Sequence, residues 1–297
     1  MINYTLKYKN LFCRENRATE LSKHIANLSV ERLADEFEEL INTAPRRHSS
    51  KKTYFVGHDG IPSTTGETNR REEHLAMALW GKYPAQPVSG SHLCGLNKII
   101  QLDYQLPLKS TRYDAGIGKI DLFGVASAGR LVVTELKVMG ETGGRGDTPL
   151  KALLEGLCYA AVIWANSADI RLEISQKYSS KIATLDALWL QSSEPAPVIQ
   201  ILGERGWWQA WADCMPAGAW PQALQLLIDA LEQRLGLAII CMMLDAAVGE
   251  KSGGKNLQLI YGGDGNPPQL AAPPRFSPVL LRDGLRFGIP AGFGSLS

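Results

Sequence analysis

Cysteine pairs are missing from this chain. Cys13, Cys94, Cys158, Cys214 and Cys241 are scattered, odd in number and never spaced as CxxC. That pattern argues against a disulfide framework or a thiolate metal site, and predicts free thiols in a reducing cytoplasm. The histidines (His24, His48, His58, His74, His92) show no HxxxH ligand spacing. No apolar run approaches the ~20 residues of a membrane span, and "MINYTLKYKNLFC" has no continuous apolar stretch, so neither a span nor a secretory leader is expected. An excess of one charge is missing too. Lys and Arg total 31 against 30 Asp and Glu, so a surface for a polyanion must be a local patch. No GxxxxGK[ST] is present, which excludes a P-loop.

What is present reads as an α/β chain. Residues 17–43 carry an apolar stripe (Leu33, Phe37, Leu40, Ile41), and Asn27 and Ser29 offer a break and a new N-cap, predicting two short helices or one broken one. A basic connector follows, with Arg46, Arg47, Lys51 and Lys52. "RREEHLAMALWGKY" predicts a helix. "NKIIQLDYQL" alternates, with Ile100, Leu102, Tyr104 and Leu106 on one face, and Pro107 ends the strand. "GKIDLFGVASAGRLVVTELKV" (118–138) predicts a hairpin. "TPLKALLEGLCYAAVIWAN" predicts a buried helix with Thr148 as cap and Pro149 at its first position. Strands are expected at "TLDALWLQ", "PVIQIL" and "LAIICMML", and a helix at "WPQALQLLIDALEQRLG". The order predicts a mixed sheet flanked by helices. Residues 1–52 read as an N-terminal helical extension, 53–246 as the core, and 247–297 as an irregular, Gly/Pro-rich extension with one short hairpin at most.

The hairpin carries charge where a buried sheet should not. Side chains alternate faces along a strand, so Glu135 and Lys137 share one face and Asp121 lies with Phe123. A turn over Ala126–Arg130 pairs Val125 with Leu131 and sets Asp121 opposite Glu135. Opposed side chains lie about 5 Å apart at Cβ, where like charges repel and lose hydration. A hard divalent cation removes the objection, since Mg²⁺ or Mn²⁺ takes oxygen ligands. The Leu136 backbone carbonyl is a further oxygen. Lys137 can hold or deprotonate a water and balance phosphate charge. The chemistry implied is phosphodiester hydrolysis.

"GKID" followed fourteen residues on by "ELK" resembles the PD-(D/E)xK nuclease superfamily, with its restriction-endonuclease-like fold, and is closest to the RecB-like and resolvase-like branches. The resemblance implies metal carboxylates at Asp121 and Glu135 and a catalytic lysine at Lys137. Ile120 stands where the family's name places proline. Such nucleases often add a carboxylate from a preceding helix; here Glu72 is preferred and Glu73 stands second. RecB-like members often carry Q-x-x-x-Y on the following helix. Glu155 and Tyr159 keep that spacing but depart at the first position, and are expected to line the substrate site. The resemblance covers roughly residues 68–165. It implies a Mg²⁺- or Mn²⁺-dependent nuclease, with DNA preferred to RNA, in a bacterial defence or repair setting. A helicase, another ATPase or a further subunit would deliver the DNA; a homo-oligomer is left open.

Arg46, Arg47, Lys51, Lys52, Arg70, Arg71, Lys109 and Arg112 are candidates for a phosphate-contacting rim, and Arg145 sits in a glycine-rich loop at the expected mouth of the site. His74 reads as a surface or capping residue. Trp207, Trp208, Trp211 and Trp220 read as core or a partner-binding patch. Three other functions compete: an RNA nuclease with the same site, a non-catalytic module that holds a protein partner through the tryptophan-rich segment, and a hydrolase of small nucleotides.

Overall fold

In a computed structural model of the chain, capping signals and strand alternation produce most of the expected elements. The structure describes residues 18–57, 71–82, 99–126, 129–139, 146–179, 196–213, 219–246, 259–260, 268–271, 274–280 and 286–287. The expected strand "TLDALWLQ", Arg70 and Arg145 lie outside them. Helix α1 is Ala18–Ala26 and α2 is Val30–Thr43. The Ser29 hydroxyl accepts the Arg32 N–H at 3.2 Å, which satisfies one of the free donors of the first turn of α2. Helix α3 is Arg71–Lys82 and α4 is Pro149–Ala165. Thr148 Oγ1 caps α4 by accepting the Lys151 N–H at 3.0 Å. Three further helices complete the set: α5 (Ser167–Lys177), α6 (Arg205–Ala212) and α7 (Ala219–Leu235). Gly236, at φ +68°, follows α7 in the left-handed conformation that glycine adopts without strain. Among the described residues, no helix is long and apolar enough to cross a membrane.

The sheet is mixed. Strands β1 (Ile99–Pro107), β2 (Lys119–Ala126) and β3 (Leu131–Lys137) are antiparallel neighbours. Strands β4 (Val198–Glu204) and β5 (Ala238–Ala246) continue it in parallel. Two-residue β6 (Leu259–Ile260) and β7 (Gln269–Leu270) pair apart from it. Strand β8 (Pro274–Leu280) adds antiparallel to β5, and the two-residue β9 (Arg286–Phe287) ends the sheet, giving the order β1-β2-β3-β4-β5-β8-β9. An α/β mixed sheet flanked by helices is therefore the architecture. One face packs on α4 with α1, α2, α6 and α7, through Val133, Ile199, Ile201 and Ile239. The other face, with Leu122, Val132, Leu136 and Leu202, packs on α3.

Several expectations need correction. The tail is not irregular throughout, because β8 supplies hydrogen bonds that β5 would otherwise lack on that side. The N-terminal helices pack on the core: Leu21, Leu33 and Phe37 share one buried cluster with α4 and β4. All four tryptophans are fully buried, so they are core and present no surface to a partner. Helices α5 and α6 were not anticipated. Strand β1 does not alternate cleanly. Its register against β2 shifts between Gln101 and Asp103, so Tyr104 joins the α3 face while Ile100 and Leu102 join the other; past Gln105, at φ +50°, Leu106 lies again with Leu102. Trp80 of α3 fastens this bulge, donating its indole N–H to the Leu102 carbonyl at 3.1 Å.

Candidate active site

The β2–β3 register places the hairpin carboxylates. Pairs run from Val125↔Leu131 to Leu122↔Thr134, and one further step sets Asp121 beside Glu135. Asp121 is held by neutral donors: the Leu136 N–H reaches its Oδ2 at 2.9 Å and Gln105 Nε2 reaches its Oδ1 at 2.9 Å. Gln105 adopts φ +50°, a left-handed conformation disfavoured for a residue with a Cβ. The bulge in β1 is what brings Gln105 opposite Asp121.

Lys137 is the centre of the cluster. Its Nζ lies 2.8 Å from Glu135, 3.2 Å from Glu155, 3.5 Å from Asp147 and 4.0 Å from Glu72. The expected face-sharing of Glu135 and Lys137 is thus realised as a direct ion pair, and Glu155 arrives from the facing helix α4. Glu72, 39% exposed, closes the cluster on its solvent side. Glu73, next along α3, is turned about 100° around the helix axis. Tyr159 sits over the first residue of "GKID": a Cβ added at Gly118 would lie 2.6 Å from the Tyr159 hydroxyl oxygen.

The electrostatics follow from burial. Burial is the main cause that pushes the Asp121 carboxyl up to about 7, with Glu72 and Glu155 adding to the rise and Lys137 and the Leu136 N–H opposing it. Burial likewise raises Glu135 well above the usual carboxylate range, against the pull of Lys137. Glu72 is raised by burial and by Asp147 and Glu155, again against Lys137. For Lys137, burial favours the neutral amine, but Glu135, Glu72, Glu155 and Asp121 outweigh it and hold the ammonium well above its ordinary value. Burial and the same carboxylates keep the Tyr159 phenol protonated.

Asp147, Lys151 and Gln105 are the site residues that the sequence reading missed. Lys151 Nζ lies 2.7 Å from Asp147 and 3.9 Å from Glu155. The signal was present as D-x-x-x-K-x-x-x-E, a helical four-residue ladder, masked by its overlap with the "RGD" tripeptide. Trp207 and Trp211 both donate indole N–H groups to the Asp147 carbonyl, at 3.1 and 3.2 Å. They have no counterpart in the motif.

Other candidates are turned into the fold. Arg71 does not face outward: its guanidinium makes a bidentate pair with buried Glu204, at 2.7 and 3.1 Å, and donates to the Met139 carbonyl at 3.3 Å. His74 is buried rather than at the surface. Arg47 is also buried, donating to the Thr53 carbonyl at 2.9 Å and to the Lys109 carbonyl.

The donor set suits a hard divalent cation. Five carboxylates (Asp121, Glu135, Glu155, Asp147, Glu72) gather where Lys137 and Lys151 are the described cations in contact with them. Two of the five, Asp121 and Glu135, are buried enough that ionising them costs free energy. Among the described residues no three His, Cys, Asp or Glu side chains stand as a finished ligand shell. The fit is therefore one of donor chemistry and unbalanced charge. No protein-family model, no curated protein and no solved structure matches this chain.

Proposed function

We propose that this chain is a metal-dependent nuclease of the PD-(D/E)xK superfamily, with a restriction-endonuclease-like core, that hydrolyses DNA phosphodiester bonds. One observation carries the reading: Asp121, Glu135 and Lys137 meet at one end of the sheet, in a buried cluster whose carboxylates exceed its cations. The motif's resemblance and the placement of Glu72 beside Lys137 support it further.

Asp121, Glu135 and the Leu136 carbonyl would hold Mg²⁺ or Mn²⁺, with Glu72 at the open side. Such a cation, when bound, polarises the phosphoryl group and makes water a stronger nucleophile near neutral pH. Lys137 is held protonated by its carboxylate neighbours. It therefore serves as a hydrogen-bond donor that orients the attacking water and neutralises phosphate charge, rather than as the base. Glu155 and Asp147 aim the ammonium, and the two tryptophans fix Asp147 through its backbone. Gln105 and the Leu136 N–H orient Asp121.

The test is cleavage of duplex, single-stranded and plasmid DNA and of RNA in Mg²⁺, Mn²⁺ or EDTA, with Asp121→Asn and Lys137→Gln alongside. Metal-dependent cutting of DNA that both folded variants lose is expected. Cutting of RNA alone would move the substrate, and a wild type that neither cuts nor takes up Mn²⁺ in calorimetry would sink the proposal.

A further inference from the structure

Outside the Lys137 cluster, the described residues hold a second concentration of charge, and it is one-sided. Strand β1 ends at Pro107, paired with Lys119 two residues before Asp121. At about 3.3 Å per residue, the root of the β1–β2 connection therefore lies about 7 Å along the strand from Asp121. Residues 46–53 are fastened onto that connection. Arg47 donates to the Lys109 carbonyl, and Lys52 Nζ donates to the Ser110 carbonyl at 2.6 Å. The Ser110 hydroxyl lies 2.5 Å from that of Ser50 and 3.0 Å from the Arg46 carbonyl.

Of the carboxylates that meet this ribbon, Asp114 and Glu173 of α5 are turned inward, and the partly exposed Asp169 of α5 lies 3.3 Å from His48. Asp114 accepts the Ser110 and Thr111 N–H groups, each at 2.7 Å. Glu173 accepts those of Tyr54 and Phe55 at 2.9 and 3.1 Å. Arg46, Lys51, Lys52, Lys109 and Arg112 stand exposed, and among the described residues none of them has a carboxylate within 4.0 Å. Beside them Tyr113 is 58% exposed, with the Arg112 guanidinium 4.8 Å from its ring centre and hydrogen-bonded to its hydroxyl at 2.5 Å. Five cations on one ribbon, with no carboxylate among the described residues to match them, repel one another, which folding alone does not reward. A group of cations beside an exposed aromatic matches the chemistry of a single nucleic-acid strand: ammonium and guanidinium groups meet phosphates, and a base stacks on the ring.

We propose that residues 46–52 together with 109–113 form a docking track for single-stranded nucleic acid, leading a strand toward Asp121. The direction of the track rests on the nuclease reading; binding to it does not.

The experiment is fluorescence anisotropy of labelled oligothymidylate with the full chain in EDTA, titrated with salt. Lys51→Ala/Lys109→Ala is expected to reduce the slope of log affinity against log salt by about 1.4, at about 0.7 per lost phosphate contact. Tyr113→Ala is expected to weaken binding about tenfold. Thermal melts should leave both variants as stable as the wild type. Binding and slopes unchanged by these substitutions, or a wild type that ignores the strand at low salt, would overturn the track. A duplex bound more tightly than the strand, with Tyr113→Ala silent, would overturn the single-strand assignment. Cleavage is scored separately: binding without cutting counts against the nuclease alone, and cutting with variant-insensitive binding counts against the track alone.

Discussion

Asp121 offers the sharpest separation between a working site and a structural network. In the folded chain burial pushes its carboxyl from 3.8 to about 7. The folded protein therefore keeps a proton that the unfolded chain gives up across that window. The associated stability is fully present below about pH 3.8. It declines by about 1.4 kcal/mol per pH unit as pH rises and is lost once pH passes about 7. The ceiling is about 4 kcal/mol. Sharing of protons with Glu135 reduces the effect to about half of that, about 2 kcal/mol.

Asp121→Asn removes the charge and keeps the shape. The new amide oxygen can accept the Leu136 N–H, and the half-buried Gln105 can turn its own amide to accept from the new NH₂. In EDTA at pH 8 the variant should therefore melt above the wild type, by about 3 °C for about 2 kcal/mol. The gap should shrink by more than half at pH 5. Mn²⁺ should raise the wild-type melting temperature at pH 8 and leave the variant unmoved. A variant that melts below the wild type at pH 8 in EDTA would refute the reasoning, because Asp121 would then be a stabilising anion of the fold.

Two further expectations concern the walls of the site. Gly118→Ala should cost about 1–3 kcal/mol through its clash with the Tyr159 hydroxyl, and Tyr159→Phe in the same chain should restore most of the loss in a denaturant melt; two additive losses would show that the contact is not the cause. Arg71→Ala should cost about 3 kcal/mol by leaving Glu204 buried without its bidentate partner, and an unchanged melting temperature with weakened DNA binding would return Arg71 to the substrate rim.

The sequence disclosed what depends on local pattern. Ser29 and Thr148 announce helix starts because a short side-chain oxygen can satisfy a first-turn N–H. The faces of β3 followed from period two, so Glu135 and Lys137 were placed together before the fold was known. Features that depend on a register fault or on a distant element were not legible. Nothing local marks the extra residue near Leu102 that turns Tyr104 to the other face and Gln105 toward Asp121. Arg71 looked like surface because its partner Glu204 is far away in sequence. The pairing of β8 with β5 was hidden because "PRFSPVL" contains prolines, which sheets tolerate at edges and strand starts.

The placement of the buried charges bears on function more directly than the motif does. A fold selected only for stability would replace buried Glu135 and Lys137 with apolar residues at little cost or with gain. This chain instead surrounds Lys137 with Glu135, Glu155, Asp147 and Glu72 and spends two tryptophan N–H groups on the backbone of Asp147. It also holds Gln105 in an unfavourable backbone conformation to reach Asp121. Each of these devices fixes an ionisable group in place where carboxylates outnumber cations, which is what electrostatic preorganisation for a cation and a charged substrate requires. The rest of the sheet shows the contrast. Between Val132 and Val133 on β3 and their neighbours Val198 and Ile199 on β4 the contacts are apolar and need no such support. Past one neutral hydrogen bond, from Thr134 to Gln200 at 2.8 Å, the charged cluster begins where β3 reaches the end of the sheet, with the half-buried Glu72 on its solvent side and the connection beyond Lys119 at the same end.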